Sequence, residues 1–212
     1  VFVPVIGQCA PRITFDKEVH DYGRVLYGDT VSDEFIVTNS GDQVLIIDKL
    51  EASCGCTKAI KGSSEVPPKG QTKIMAAFDT TGLRGGKKQK TIYVHSNDPE
   101  RPVVKLTLLA DVVRELSLDP PTLAKTLDSY TESVSFPINI ANSSDKPVTI
   151  KSLKSQLGTA PAIMTPKGFV IKPHSSASFT IKINLRNEPG RQYWMGRFNL
   201  ETDHPKENEI EI

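Results

Sequence analysis

Three cysteines, three methionines and one tryptophan are few for 212 residues, and each scarcity excludes something. Three cysteines cannot supply the disulfide framework that holds small secreted scaffolds together, so the core has to be made by burial. The chain contains no Gly-x-Ser-x-Gly elbow and no Cys-x-x-Cys-His, and its 4 histidines fall in separate turn or strand contexts. Neither a catalytic triad nor a haem attachment is written here, which puts a hydrolase or transferase third, behind a binding module and a thiol site. No run approaches the roughly 18 consecutive apolar residues of a membrane-spanning helix, so no membrane span is expected. Charge of one sign is missing too: 26 Lys and Arg stand against 25 Asp and Glu. Without such a field nothing draws nucleic acid or acidic lipid, and no nucleic-acid partner is expected.

What the chain has in quantity is 15 prolines and 14 glycines, scattered between short runs of Val, Ile, Thr, Phe and Tyr. That pattern reads as short strands joined by tight turns, an all-β chain. Arg12–Phe15 and Tyr22–Leu26 are β-like, and Val31–Thr38 ends at the turn signal Asn39-Ser-Gly-Asp42. Val44–Ile47 reads as a buried strand, Pro67-Pro-Lys-Gly70 as a turn, and Thr72–Phe78 as a strand. Thr91–His95 and Val103–Leu109 follow, separated by a turn from Ser96 to Pro102. About seven strands in about a hundred residues is the signature of an immunoglobulin-like sandwich.

The second half repeats the first. Asn39–Leu50 aligns without a gap on Asn142–Leu153, Pro68-Lys-Gly-Gln71 matches Pro173-His-Ser-Ser176, Gly85 matches Gly196, and Asn97-Asp-Pro99 matches Asp203-His-Pro205. The expected architecture is therefore two tandem immunoglobulin-like β-sandwich domains, residues 11–113 and 114–212, preceded by an apolar segment over residues 1–10. Asp98, Glu100, Asp203 and Glu207 lie in the two equivalent turns and read as turn formers and solubilisers rather than as paired acids. Asn142-Ser-Ser144 is formally a glycosylation acceptor. The basic stretch Gly82–Lys90 lacks the Gly-Lys-Ser/Thr ending of a phosphate loop and reads as a solvated turn. Trp194, between Tyr193 and Met195, suits core packing or an interface anchor.

One stretch is chemically distinctive and occurs once, Cys54-Gly-Cys56-Thr57. Continuing the ungapped match puts Cys54 opposite Leu157, Gly55 opposite Gly158 and Cys56 opposite Thr159, so the sandwich folds without cysteine and whatever the pair adds belongs to the first domain. The leucine points to an inward Cys54 and a more polar setting for Cys56. In an extended strand two such residues have Cα atoms about 6.5 to 7 Å apart on one face, which suits a shared metal and sits at the limit for a disulfide, a limit that a bulge at Gly55 relaxes. Three readings stay open. The pair packs as small hydrophobes, forms a structural or redox disulfide, or binds Cu(I), the natural guest of two thiolates. Nothing in the sequence brings His20 or His95 to Cys54.

The run Ser53-Cys-Gly-Cys-Thr57, followed by Pro67-Pro-Lys-Gly70, Phe78-Asp-Thr-Thr-Gly82 and Ser96-Asn-Asp-Pro99, resembles the bacterial exported family of unknown function that carries the CGCT signature. That family is similar in turn to the Hydin-like sandwich domains, also called ASH domains, which are related to major sperm protein. The resemblance is dense from Pro11 to about Val113 and weak beyond it. It implies an exported or cell-surface β-sandwich and supplies no reaction, since relatives of this sandwich class mostly bind proteins.

Both termini carry further expectations. Val1–Ala10 resembles the last part of a secretory signal with cleavage near Cys9 or Ala10, which predicts export to the periplasm or cell surface; Gln8 departs from the small residue expected before a lipidated cysteine. The final strand of the second copy stops at Ile212 while Val1–Ile6 is apolar and β-prone, the two halves of a head-to-tail strand addition that builds homo-oligomers or filaments. The function expected is a non-enzymatic interaction or scaffolding module of the cell envelope with a protein partner. Its rival is a thiol site at Cys54 and Cys56.

Overall fold

The structure, a computed structural model, describes residues 9–125, 132–155, 161–185 and 197–212. Expectations for Val1–Ile6, for Leu157, Gly158 and Thr159, and for Trp194 and Gly196 lie outside those residues. The chain divides into two compact units, Val1–Val113 and Arg114–Ile212. No helix among the described residues is long and apolar enough to cross a membrane.

Among the described residues the first unit has nine strands: β1 (Ile13–Phe15), β2 (Val19–Leu26), β3 (Thr30–Asn39), β4 (Leu45–Ala52), β5 (Thr57–Lys61), β6 (Glu65–Val66), β7 (Gln71–Asp79), β8 (Gly86–Ser96) and β9 (Val103–Val113). They form two sheets, in the orders β1-β3-β7-β5 and β2-β9-β8-β4-β6. Period-2 alternation decides which side chains meet between them. Phe35 and Val37 of β3 face Ile74, Ala76 and Phe78 of β7 on the inner side of one sheet. Ile92 and Val94 of β8 lie beside Leu106 and Val104 of β9 on the inner side of the other. Phe35 and Phe78 are the largest fully buried side chains, and truncating either to alanine costs about 3–5 kcal/mol.

Two boundaries differ from the sequence expectation, each for a physical reason. The stretch at Val44–Ile47 is not buried throughout: Leu45 and Ile47 point inward, Val44 and Ile46 are exposed, and the strand runs on to Ala52. Only one face of this strand is covered, so an apolar run of four is no proof of burial on both sides. The second strand begins earlier, at Val19, and pairs with β9 in parallel, with a register shift between Asp21 and Arg24 where Gly23 takes φ 63°.

The second unit holds β10 (Leu116–Asp119), β11 (Ser133–Asn142), β12 (Val148–Ser155), β13 (Ala162–Thr165), β14 (Phe169–Ile171), β15 (Ser175–Asn184), β16 (Phe198–Thr202) and β17 (Glu209–Glu211). Its sheets run β10-β11-β15-β13 and β14-β12-β16-β17. This is the strand order of the first unit without a counterpart of β2 among the described residues. The repeat extends to register: Ile13 lies opposite Asn39 in one unit and Leu116 opposite Asn142 in the other.

The turn signals that announced the repeat do more than turn the chain. Asn39 is buried; its Nδ2 donates to Gln43 O and Val66 O, while its Oδ1 accepts from Gly41 N and Arg12 N. Asn142 repeats this with Lys146 O, Ile171 O and Ser144 N. With its amide enclosed in that way, the formal glycosylation acceptor is a buried staple. Asp98 and Glu207 are buried, which corrects the reading of them as solubilisers. The Asp98 carboxylate accepts from Ile13 N, Glu100 N and Arg101 N; Glu207 accepts from Glu115 N, Leu116 N and Arg114 Nε. Each ties the first strand of its unit to the last turn, where backbone amides left unpaired would cost about 1–3 kcal/mol apiece.

Candidate functional site

After Ala52 the chain leaves β4 through a short turn before entering β5. Ser53 N donates to Thr91 O at 2.9 Å and Thr91 N donates to Ser53 Oγ at 3.1 Å, which anchors the exit to β8. Thr57 N donates to Cys54 O at 3.2 Å, and Asp79 N donates to Cys56 O at 2.9 Å, which pins the far side to the end of β7. The turn draws the Cys54 and Cys56 Cα atoms to 5.3 Å, inside the disulfide range, and the two sulfurs are bonded. Neither sulfur in that form is a thiolate, the species that ligates soft metals. Among the described residues no three His, Cys, Asp or Glu side chains are grouped to hold a metal ion. His20 pairs instead with Asp33, and His95 lies 3.6 Å from Glu51. Cys9, the remaining cysteine, is exposed and unbonded.

The two sulfurs sit in different surroundings, and in the opposite sense to the expectation from the internal repeat. Cys56 packs against the apolar core of the unit, as does Leu83. Cys54 is not part of that packing, and its Sγ lies 3.6 Å from Thr57 Oγ1. The ungapped match assumed one continuous strand, whereas the turn at residues 53–56 breaks the alternation, so that Cys56 rather than Cys54 packs against the core.

As a crosslink the bond is weak by construction of the chain. It closes a loop of three residues, for which chain-entropy bookkeeping gives roughly 1.6 kcal/mol, against about 3 kcal/mol for a loop of about 15 residues. Gly55, at the apex, is required neither by a left-handed φ nor by crowding: a Cβ there would meet nothing within 4 Å.

A second polar cluster carried no spacing signal in the sequence. Asp33 stands on the inward-facing register of β3, two residues before Phe35, and its Oδ2 is close to Lys17 Nζ and 2.7 Å from His20 Nδ1. Burial would raise the Asp33 carboxyl, but Lys17, the Glu34 amide and His20 outweigh it and hold its pKa below the usual aspartate value. Tyr22 stacks edge-on against His20 at 4.4 Å and donates to Ala76 O at 3.4 Å. Burial first, and the Asp33 charge second, push the Tyr22 phenol up to about 12. A tyrosine so protonated is no base near neutrality. The cluster ties β2 across the sandwich to β3 and β7.

Beyond the disulfide, β5 is the last strand of its sheet. The bonds from Asp79 N to Cys56 O and from Gly62 N to Lys73 O set the phase of its ladder with β7. Ala59 and Lys61 therefore turn their backbone groups to the side that has no strand neighbour among the described residues. On the outer face Ile60 is 67% exposed and lies opposite Met75, itself 43% exposed.

Residues 13–112, nearly the whole first unit, match the model of a family described as a protein of unknown function (DUF1573). A search of curated proteins finds no match. Among solved structures, a protein of unknown function from Porphyromonas gingivalis is 13% identical, with 94% of this chain and 96% of that one covered at a TM-score of 0.41. The ASH/PapD-like domain 7 of human CEP192 is 10% identical over 54% of this chain and 94% of its own, at 0.42. The E. coli chaperone DraB is 11% identical over 91% and 92%, at 0.38.

Proposed function

We propose that this chain is a non-enzymatic protein-interaction module, exported to the periplasm or cell surface, which engages a protein partner along the free edge of β5. The observation that carries the reading is that edge. An extended segment laid beside β5 would pair with the backbone of Ala59 and Lys61 and cover the apolar pair Ile60 and Met75. Native edge strands are usually shielded by charge, bulges or proline; Lys58 and Lys61 supply charge along this one, and Ile60 between them is still left exposed. The buried polar groups support the same reading from the other side. Asn39, Asp98, Asn142 and Glu207 are spent on backbone groups of their own unit, which is structural work. The matched family carries no assigned reaction either.

The partner includes, in this reading, a second copy of the chain added strand to strand. A photo-crosslinking residue at position 60, compared with one at exposed Val103 on the other sheet, tests it in cells that express the chain. A discrete protein adduct from position 60 alone, recovered from the periplasmic or surface fraction, is the expected result. Adducts that are absent, or the same from both positions, overturn the proposal.

A further inference from the structure

The Cys54–Cys56 bond links residues two apart, so it joins no distant strands, and the cysteine-free second unit has the same sheet order without it. Holding the fold together does not account for it. We propose that the bond is a thiol–disulfide exchange site reduced by a protein dithiol, with Cys54 as the sulfur that is attacked. This adds a chemical activity to the interaction reading and does not rest on it.

Three observations carry the assignment. Both cysteines are half-buried, but Cys56 is packed against the core while Cys54 is not, which makes Cys54 the sulfur offered to an incoming thiolate. The Thr57 hydroxyl, 3.6 Å from Cys54 Sγ, is placed to donate to a thiolate on that sulfur. Gly55 leaves the apex of the turn bare although the backbone and the packing would both admit a side chain. A residue the fold does not need as glycine keeps the approach to the sulfurs clear.

In the exchange, a thiolate of the partner attacks Cys54 Sγ. A sulfur–sulfur bond forms between partner and Cys54, the Cys54–Cys56 bond breaks, and its electron pair leaves on Cys56, which takes a proton from water. The partner's second thiolate then attacks the partner's own sulfur in the mixed disulfide. Cys54 departs as a thiolate, with Thr57 as a positioning residue that donates a hydrogen bond to it. Two electrons have passed: the partner is oxidised to a disulfide and the chain is reduced to a dithiol. Run backwards, Cys54 is the nucleophile.

The test uses the full chain carrying Cys9→Ser, with reduced thioredoxin as the protein dithiol and dithiothreitol as the small one, and circular dichroism to confirm the fold. Thioredoxin is expected to reduce the pair in the folded protein, and Gly55→Val to slow thioredoxin at least tenfold while changing the dithiothreitol rate by less than twofold. In single-cysteine proteins, Cys56→Ser should react with a disulfide reagent at least tenfold faster than Cys54→Ser. Adding Thr57→Val to Cys56→Ser should move the pH profile of that reaction upward; Thr57 is 4% exposed and valine has its shape, so the fold is kept. Reduction that requires unfolding, by either reagent, overturns the proposal. Equal rates for the two single-cysteine proteins overturn the assignment of Cys54, and a pH profile unmoved by Thr57→Val overturns the role of the hydroxyl.

Discussion

Replacing Asp98 by asparagine changes one atom and probes the tie that closes the first sandwich. The carboxylate is 2% exposed; Oδ2 accepts from Ile13 N at 2.7 Å, and Oδ1 from Glu100 N at 2.8 Å and Arg101 N at 3.1 Å. An asparagine keeps one acceptor oxygen. Whichever side it serves, its NH2 group meets an amide donor, so a buried charge-assisted bond is lost and an N–H is left unpaired. Bonds to charged groups contribute about 1.5–3 kcal/mol and an orphaned buried donor costs about 1–3 kcal/mol, so the first unit is expected to lose roughly 2–4 kcal/mol. The pH dependence has a definite sign. Burial would raise the Asp98 carboxyl, but the amides of Ile13, Glu100 and Arg101 hold it below the ordinary value of 3.8. The unfolded chain therefore takes up the proton first as pH falls. The carboxylate's contribution is whole above the unfolded value and fades as pH descends through the folded one. Urea unfolding followed by far-UV circular dichroism at pH 7, 5 and 3.5 measures this: the gap between wild type and Asp98→Asn should be equal at pH 7 and 5 and narrower at 3.5. A gap below about 0.5 kcal/mol at pH 7, or one that widens on acidification, refutes the reasoning.

Other outcomes follow from the same geometry. Gly41→Ala should destabilise the first unit by about 1–3 kcal/mol in the same assay, because its Cβ would lie 2.1 Å from Ala10 O and 2.6 Å from Arg12 N. Gly55→Ala, with open space around it, should stay within about 0.5 kcal/mol of wild type in thermal melts. Cys54→Ser combined with Cys56→Ser should cost only about 1.6 kcal/mol, since the closed loop has three residues; a loss several times larger would show that the bond braces the sandwich after all. Asn39→Ala leaves Val66 O and Gly41 N without their buried partner and should cost roughly 2–5 kcal/mol, read from the urea midpoint.

The architecture was legible because it rests on short-range physics. Alternation in β7 and β9, the turn chemistry at Asn39 and Asn142, and the ungapped match between the halves all follow from the period of a strand and from which residues tolerate a turn. Duplication strengthened each signal by showing it twice. The cysteine pair was legible as an oddity, and the disulfide as one of three alternatives.

What only the tertiary structure decided concerns direction and distance. Sequence spacing put Cys54 and Cys56 at the limit of bonding, whereas the turn pinned by Thr91, Thr57 and Asp79 brings them to 5.3 Å and reverses which one meets the core. Asp98 and Glu207 read as surface acids, because charged side chains in turns usually are. They are buried, because each finds backbone amides 85 to 92 residues away in sequence, and no local pattern encodes a partner at that separation. Asp33 meets Lys17, His20 and Tyr22 for the same reason, through sheets that bring β2 and β3 together. A strand's period is a property of its own backbone and can be read from it. What a side chain faces belongs to the sandwich as a whole and exists only once the two sheets have closed.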